Sequence, residues 1–290
     1  MGRYTIADLE KLTGIMTGTI RIWERRYRII KPHRTDTNRR WYDDDDLKRI
    51  INISILYRHG IKISKIAGLT GPQIVEQVAI LTKDTSDSDT QIDSLIVGMA
   101  GFNENAINDI LLKSIITRGF EETFENVVFP FLGRVGIMWH TGSVDIGAEH
   151  FVSNIFRKRL IAAIDSLPKV DNPDSKRIIL YLPENELHEL GLLLYTFAVV
   201  KAGHKAVYLG QSTPFNTLAD VAERWHADIL ITGTLTGLPV GRPEEYLTRL
   251  SSAFSSKKII VSGALVPAAL KRTFSNVVAV TSLNDLKKHL

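Results

Sequence analysis

Glu186-Leu187-His188-Glu189-Leu190-Gly191 is the stretch on which the reading of this 290-residue chain turns. It follows an apolar run, Arg177 to Leu182, and leads into a helical pattern, Glu189 to Ala202, and this pair opens a strict alternation. Further strands are expected at 206–210, 228–232, 258–262 and 277–280, with helices at 215–225, 243–253, 267–272 and from 284 onward. Five strand–helix repeats predict an α/β doubly wound parallel sheet, whose ligands sit outside the carboxyl ends of the strands. Those ends carry His188, Gln211-Ser212-Thr213, Thr234 and Ser262-Gly263. The sequence has no Gly-x-Gly-x-x-Gly turn and no Walker loop, which argues against a dinucleotide or a nucleoside triphosphate. Taken singly, a loop histidine and ordinary turn chemistry account for His188, Gly191 and Gly263.

Upstream, Asn172-Pro173-Asp174-Ser175 marks a linker, and before it the chain reads as helices at 91–100, 104–118, 121–142 and 145–166. Ile107, Ile110, Leu111, Ser114 and Ile115 follow helical spacing, so a four-helix bundle is expected, with Pro130 kinking or splitting its third member. Trp139-His140 closes that helix, and Glu149-His150 opens the next. A helical hairpin brings such residues towards one end of the bundle. Taken one at a time, a core tryptophan and surface histidines explain them as well.

The first seventy residues carry a formal charge of +7 and the rest −3, so a basic head precedes a mildly acidic body. That asymmetry points the head at a polyanion. Ile6, Leu9 and Leu12 share a helical face, Thr13-Gly14 breaks it, and a second short helix starts with Thr17 as the expected N-cap. Its Ile20, Trp23 and Tyr27 face inward, and Arg21, Arg25 and Arg28 outward. Two short helices around a tight turn form a helix-turn-helix, whose second member fits a major groove. The basic, turn-rich stretch from Lys31 to Tyr42 reads as a two-stranded wing, with Arg34, Arg39 and Arg40 in reach of phosphates. Asp43 to Asp46 then suit the positive N-terminus of a third helix, a reading preferred to a metal site. Asp84 to Asp89 is a polar linker, so modules are drawn at 1–82, 90–168 and 176–290.

Composition bounds the rest. With 44% hydrophobic and 23% charged residues, no apolar run long enough to span a bilayer and no secretory signal, a soluble cytoplasmic protein is expected. Cysteine is absent, which removes disulfides, thiolate metal sites and a thiol nucleophile.

Thr19-Ile20-Arg21-Ile22-Trp23-Glu24-Arg25-Arg26-Tyr27, then Pro32, then Arg40-Trp41-Tyr42 resembles the winged-helix head of the MerR family of bacterial regulators over about the first seventy residues. The resemblance implies binding of double-stranded operator DNA through Thr17, Arg21, Tyr27, Arg39 and Tyr42, and the outward Arg25 and the wing's Arg34 and Arg40 join them as candidates. The short apolar helix from Pro72 to Leu81 departs from the long dimerising coiled coil usual in that family. Glu186-x-His188-x-x-Gly191 resembles the cobalamin-binding signature of corrinoid proteins, where the histidine is the lower cobalt ligand. Imidazole suits cobalt, and its other ring nitrogen needs a fixed acceptor, for which Glu186 is the candidate. Aspartate is commoner there, and Ser262 stands where Gly-Gly is usual. Ser212, Thr213, Ser262 and Gly263 would surround the nucleotide tail.

In order, the chain is similar to the CarH/LitR family of cobalamin photoreceptor repressors: MerR-type head, helical bundle, flavodoxin-like cobalamin-binding domain. That resemblance implies adenosylcobalamin as cofactor, Trp139 and Glu149 around the adenosyl group, His150 as a further contact, and His140 as the upper cobalt ligand after light. It implies a homo-oligomer, dimer or tetramer, that holds DNA in darkness and releases it on illumination. Two alternatives stand beside it: a corrinoid methyl-carrier enzyme component, disfavoured by the head, and a regulator sensing cobalamin or a partner without light.

Overall fold

The computed structural model describes residues 3–35, 38–82, 87–140, 146–170, 172–233, 243–263 and 274–290. It divides into two compact units, Met1–Ile155 and Phe156–Leu290.

The first unit opens with the head. Helix α1 (Ile6–Thr13) is started by a reciprocal capping box between Thr5 and Asp8 and stopped by Gly14 at φ 71°, a left-handed turn that glycine adopts without strain. Helix α2 (Thr17–Tyr27) buries Ile20 and Trp23. Thr17 is not its N-cap: Met16 holds that position without a side-chain bond, and the Thr17 amide donates to Glu10 Oε2 of α1 at 3.1 Å. A carboxylate from a neighbouring helix thus satisfies the exposed helix end. Strands β1 (His33–Arg34) and β2 (Arg40–Trp41) form an antiparallel wing, secured by a bridge between Tyr4 and Tyr42. Helix α3 (Asp44–Arg58) follows, with Asp43 Oδ1 accepting from the Asp45 and Asp46 amides at 3.0 and 2.9 Å. The acidic run therefore caps a helix. His33 of the wing approaches Asp43 Oδ2 at 3.0 Å and Asp46 Oδ2 at 3.7 Å, so the cap also ties the wing to α3.

Helices α4 (Ile63–Ile66) and α5 (Gly71–Thr82) complete the head, and α5 packs on α3. The four expected bundle helices are all present. Helix α6 (Ser88–Ala100) starts three residues earlier than its apolar pattern, because Asp87 accepts from the Thr90 amide at 2.9 Å. Helix α7 (Glu104–Arg118) follows, and then a composite third member: α8 (Phe120–Thr123), one π-helical turn (Phe124–Val128) and α9 (Phe129–His140). The Phe129 amide reaches back to the Phe124 carbonyl, five residues away, immediately before Pro130. Proline lacks an N–H and crowds the carbonyl four residues back, and a widened turn relieves both without breaking the helix. Helix α10 (Ile146–Asp165) is the fourth member, and the boundary between the two units falls within it.

The head does not hang from a free tether. Helix α3 packs along α6, with Leu56, Leu95 and Ile96 fully buried. Asp93 of α6, only 1% exposed, takes Arg58 from α3 on one oxygen and Arg134 from α9 on the other, the latter at 2.8 Å.

The second unit is a five-stranded parallel sheet in the order β4-β3-β5-β6-β7: β3 (Arg177–Pro183), β4 (Lys205–Thr213), β5 (Ile229–Gly233), β6 (Lys258–Ser262) and β7 (Val277–Ala279). Counted from the first strand of the unit this is 2-1-3-4-5, the flavodoxin-like order with its switch point between β3 and β5. Side-chain alternation divides the core. Ile179, Tyr181, Leu230, Ile259 and Val261 meet α12 (Phe215–Arg224) and α13 (Pro243–Ala253) on one face. On the other lies α11 (Leu190–Lys201), apolar nearly all round and correspondingly buried, with α14 (Leu283–Lys287) beside it. The helix expected at 267–272 and the Thr234 position lie outside the described residues.

Candidate functional site

The loop from Glu184 to Glu189 leaves β3 at the switch point, where the crevice of such a sheet opens. Asn185 turns the chain at φ 65°, and Glu186 then folds back under its own loop. Its carboxylate is buried, and Oε1 accepts from the Leu187 amide at 3.0 Å, the His188 amide at 3.0 Å and the His188 Nδ1–H at 2.7 Å. The third bond fixes the imidazole: Nδ1 carries the proton and the lone pair lies on Nε2. The ring itself is half exposed, with 54% of the side chain accessible. The Glu186 side chain, longer than aspartate, reaches its histidine because the turn brings the two together.

Strand β4 clamps this loop from the side. A bulge between Tyr208 and Gly210, the glycine at φ 75°, shifts its register against β3 and carries the strand on to Thr213. Gln211 Nε2 then donates to the Leu187 carbonyl at 2.6 Å. The Ser212 amide donates to the Glu186 carbonyl, and its Oγ accepts from the Asn185 amide, both at 3.1 Å. Ser212 thus orders the histidine loop, while Thr213 is buried behind it. At the end of β6, the Ser262 hydroxyl meets Tyr195 Oη of α11 at 2.8 Å, and Gly263 turns the chain at φ 114°. A Cβ at Gly191 would meet no atom of the described residues within 4 Å. Protein packing therefore does not demand glycine there, and the space beside the first turn of α11 fits a ligand tail running close to the backbone. Donor chemistry and space both suit a corrinoid.

In the first unit, Trp139 and His140 end α9, and their side chains lie outside the described residues. Glu149 is half-buried and His150 exposed on α10, paired at 2.8 Å between Oε2 and Nδ1. Glu149 also accepts from Ser153 Oγ at 2.6 Å.

On the head, Arg21, Arg25, Arg34, Arg39 and Arg40 are exposed, and Thr17 and Tyr27 half-buried. Arg34 bonds Asn38, and Arg40 stands 3.8 Å from Glu24. Tyr42 is different. It is 0% exposed, its hydroxyl donates to Glu24, and burial followed by that bond raises its pKa. Its side chain is packed between the wing and α2 and is not presented at the surface, against the expectation of a direct DNA contact.

Residues 4–70 match the MerR HTH family regulatory protein model, and residues 91–163 match a B12 binding domain. Over 257 residues the chain is 27% identical to the HTH-type transcriptional repressor CarH of Myxococcus xanthus, covering 86% of this chain and 85% of that one. It is 23% identical over 275 residues to the repressor CarA of the same organism, covering 93% and 90%. The fold is similar to the monomethylamine corrinoid protein of Methanosarcina barkeri, at TM-score 0.55 and 13% identity over 66% of this chain and 92% of that one. Over most of its length the chain is thus similar to CarH-type repressors, with a MerR-type head and a B12 binding region in the same order.

The two matched regions make it a cobalamin-binding, MerR-type transcription regulator with a DNA-binding head. No helix among the described residues is long and apolar enough to cross a membrane. Sequence reasoning missed Glu189, which it read only as the start of α11. Its buried carboxylate accepts from Arg157 Nε at 2.6 Å and Tyr208 Oη at 2.5 Å, and burial together with Glu189 raises the Tyr208 pKa. It also missed Asp93, whose two arginines lie 35 and 41 residues away in the chain. The one available signal was an acidic residue inside an otherwise apolar helix face.

Proposed function

We propose that this regulator is a light-responsive repressor that holds adenosylcobalamin and operator DNA in darkness and releases DNA on illumination through a change in oligomeric state. It works through three modules: a DNA-binding head at 1–82, a bundle at 90–168 and a cobalamin-binding domain at 176–290. The observation that carries the reading is the His188 imidazole, its proton held on Nδ1 by a buried carboxylate in a loop at the switch point of the sheet. Bound, adenosylcobalamin supplies a cobalt–carbon bond that visible light breaks.

His188 would hold the cobalt through Nε2, and Glu186 maintains the tautomer and basicity that this requires. Gly191, Ser212, Thr213, Ser262 and Gly263 accommodate the tail. Trp139, Glu149 and His150 would accommodate the adenosyl group, and His140 would supply a second imidazole to the cobalt. Docking of α3 on α6 supports the reading, because movement of the bundle then carries the head with it. Assembly multiplies the phosphate contacts of single heads, so a change of oligomeric state is enough to change occupancy. That is a population shift between two states the cofactor stabilises differently.

Gel filtration with an inline absorbance spectrum tests this, on protein mixed with adenosylcobalamin in darkness and after green light. A corrinoid spectrum eluting with a large dark species that becomes smaller on illumination is expected. Corrinoid bound without a change of size leaves a light-independent cobalamin sensor, and corrinoid that never co-elutes removes the proposal.

A further inference from the structure

The histidine loop is held from one more direction, which its motif does not announce. Glu189 follows His188 directly and gives each oxygen of its buried carboxylate a donor, Arg157 of α10 and Tyr208 of β4. The bulge at Gly210 lets β4 offer Tyr208 to this carboxylate and Gln211 and Ser212 to the loop. Without Arg157, one oxygen of a buried carboxylate would lose its charged donor, and the peptide joining Glu189 to His188 would lose an anchor. Arg157 stands seven residues beyond His150 on the same helix, two turns along and within about 20° of the same side.

We propose that Arg157 and Glu189 are positioning residues for His188, whose ion pair fixes the peptide after the histidine and ties it to α10. The direction of the imidazole lone pair and the position of α10 from Phe156 onward are then set together. A change at either end loads the same ion pair. This rests on the reading of His188 as lower cobalt ligand.

The test uses the full chain with Arg157→Ala, Arg157→Lys and His188→Ala. Arg157 is half exposed, so its substitution leaves the core intact. One readout needs no cofactor: amide hydrogen exchange at Leu187 to Glu189, with β6 as internal reference. The second is the paramagnetic resonance spectrum of cob(II)alamin added to protein carrying 15N-histidine. In it an imidazole ligand splits the cobalt lines into doublets and the cofactor's own base into triplets, the doublets being the splitting that is scored. Arg157→Ala is expected to raise exchange in the loop about tenfold, as loss of one charged hydrogen bond does, while β6 stays unchanged and the nitrogen-split fraction falls. Arg157→Lys should recover part of both. Wild-type exchange and splitting in Arg157→Ala, with splitting lost in His188→Ala, would overturn the proposal and leave the ligand assignment standing. Faster exchange in loop and β6 alike, with splitting unchanged, would overturn it too by showing mere structural support. Splitting that survives in His188→Ala would remove the ligand assignment itself and this proposal with it.

Discussion

The head and the histidine loop meet their ligands by opposite means. On the head, Arg21, Arg25 and Arg39 stand in solvent on long side chains, the arrangement that suits a polyanion of repeating charge. In the loop, Glu186, Gln211 and Ser212 fix two carbonyls, three amides and a ring nitrogen around one imidazole. A metal ligand has to present one lone pair along one direction, and that demands a supporting shell. Substitutions should therefore act steeply in the loop and gradually on the head.

His188→Ala should have the largest effect. Cobalamin affinity, measured by equilibrium dialysis, is expected to fall beyond the roughly hundredfold reached by losing a supporting residue, and DNA binding without cofactor should stay unchanged. A loss below about tenfold would show that the tail and the bundle carry the affinity.

Glu186→Ala comes next, with an expected loss of about ten- to a hundredfold. It removes the acceptor of three bonds, so the imidazole can take either tautomer. Glu186→Gln keeps a carbonyl for the same donors and should lose less. Equal losses in the two variants would mean that charge, rather than orientation, is what Glu186 contributes.

How much of this was readable in sequence follows range. The sheet was legible because alternating apolar runs and helical periods are local, and Asp43 announced a helix end because capping acts across three residues. Thr17 was misplaced because its partner, Glu10, belongs to another helix. Tyr42 was expected at the DNA on the family resemblance alone, and nothing local in the sequence shows its bridge to Tyr4 or its burial. Ser212 was identified as a tail residue, yet its strained φ of 48° and its bonds to Asn185 and Glu186 arise from a bulge that periodicity does not show. The Arg157–Glu189 and Arg58–Asp93 pairs are long-range choices of partner, made by packing.

On the head the comparison predicts shallow, additive losses. Arg21→Ala and Arg25→Ala should each weaken operator binding and lower the salt slope by about one phosphate contact, with cofactor uptake unchanged. Titrating fluorescent operator DNA at several salt concentrations measures both. A weakened affinity with an unchanged slope would mean that these side chains touch bases rather than phosphates.

The smallest effect concerns a point on the head where, as in the loop, a carboxylate gathers amides and an imidazole. Burial pushes the Asp43 carboxyl up, but bonds from the Asp46 amide, the His33 imidazole and the Asp45 amide together hold it below the usual carboxylate range. An acid depressed in the folded state contributes stability above its unfolded pKa of about 3.9 and loses it as pH falls through the lower folded value. The wing and the start of α3 should therefore loosen below about pH 4, followed by the Asp45 and Asp46 amide resonances. Asp43→Ala should cost about 1 kcal/mol at neutral pH by deleting the cap. Asp43→Asn keeps a capping oxygen and removes the titrating group, so it should stay close to wild-type stability while flattening the acid transition. If Asn proves as costly as Ala, the contribution of Asp43 lies in its charge towards His33, and the wing is held electrostatically rather than by the cap.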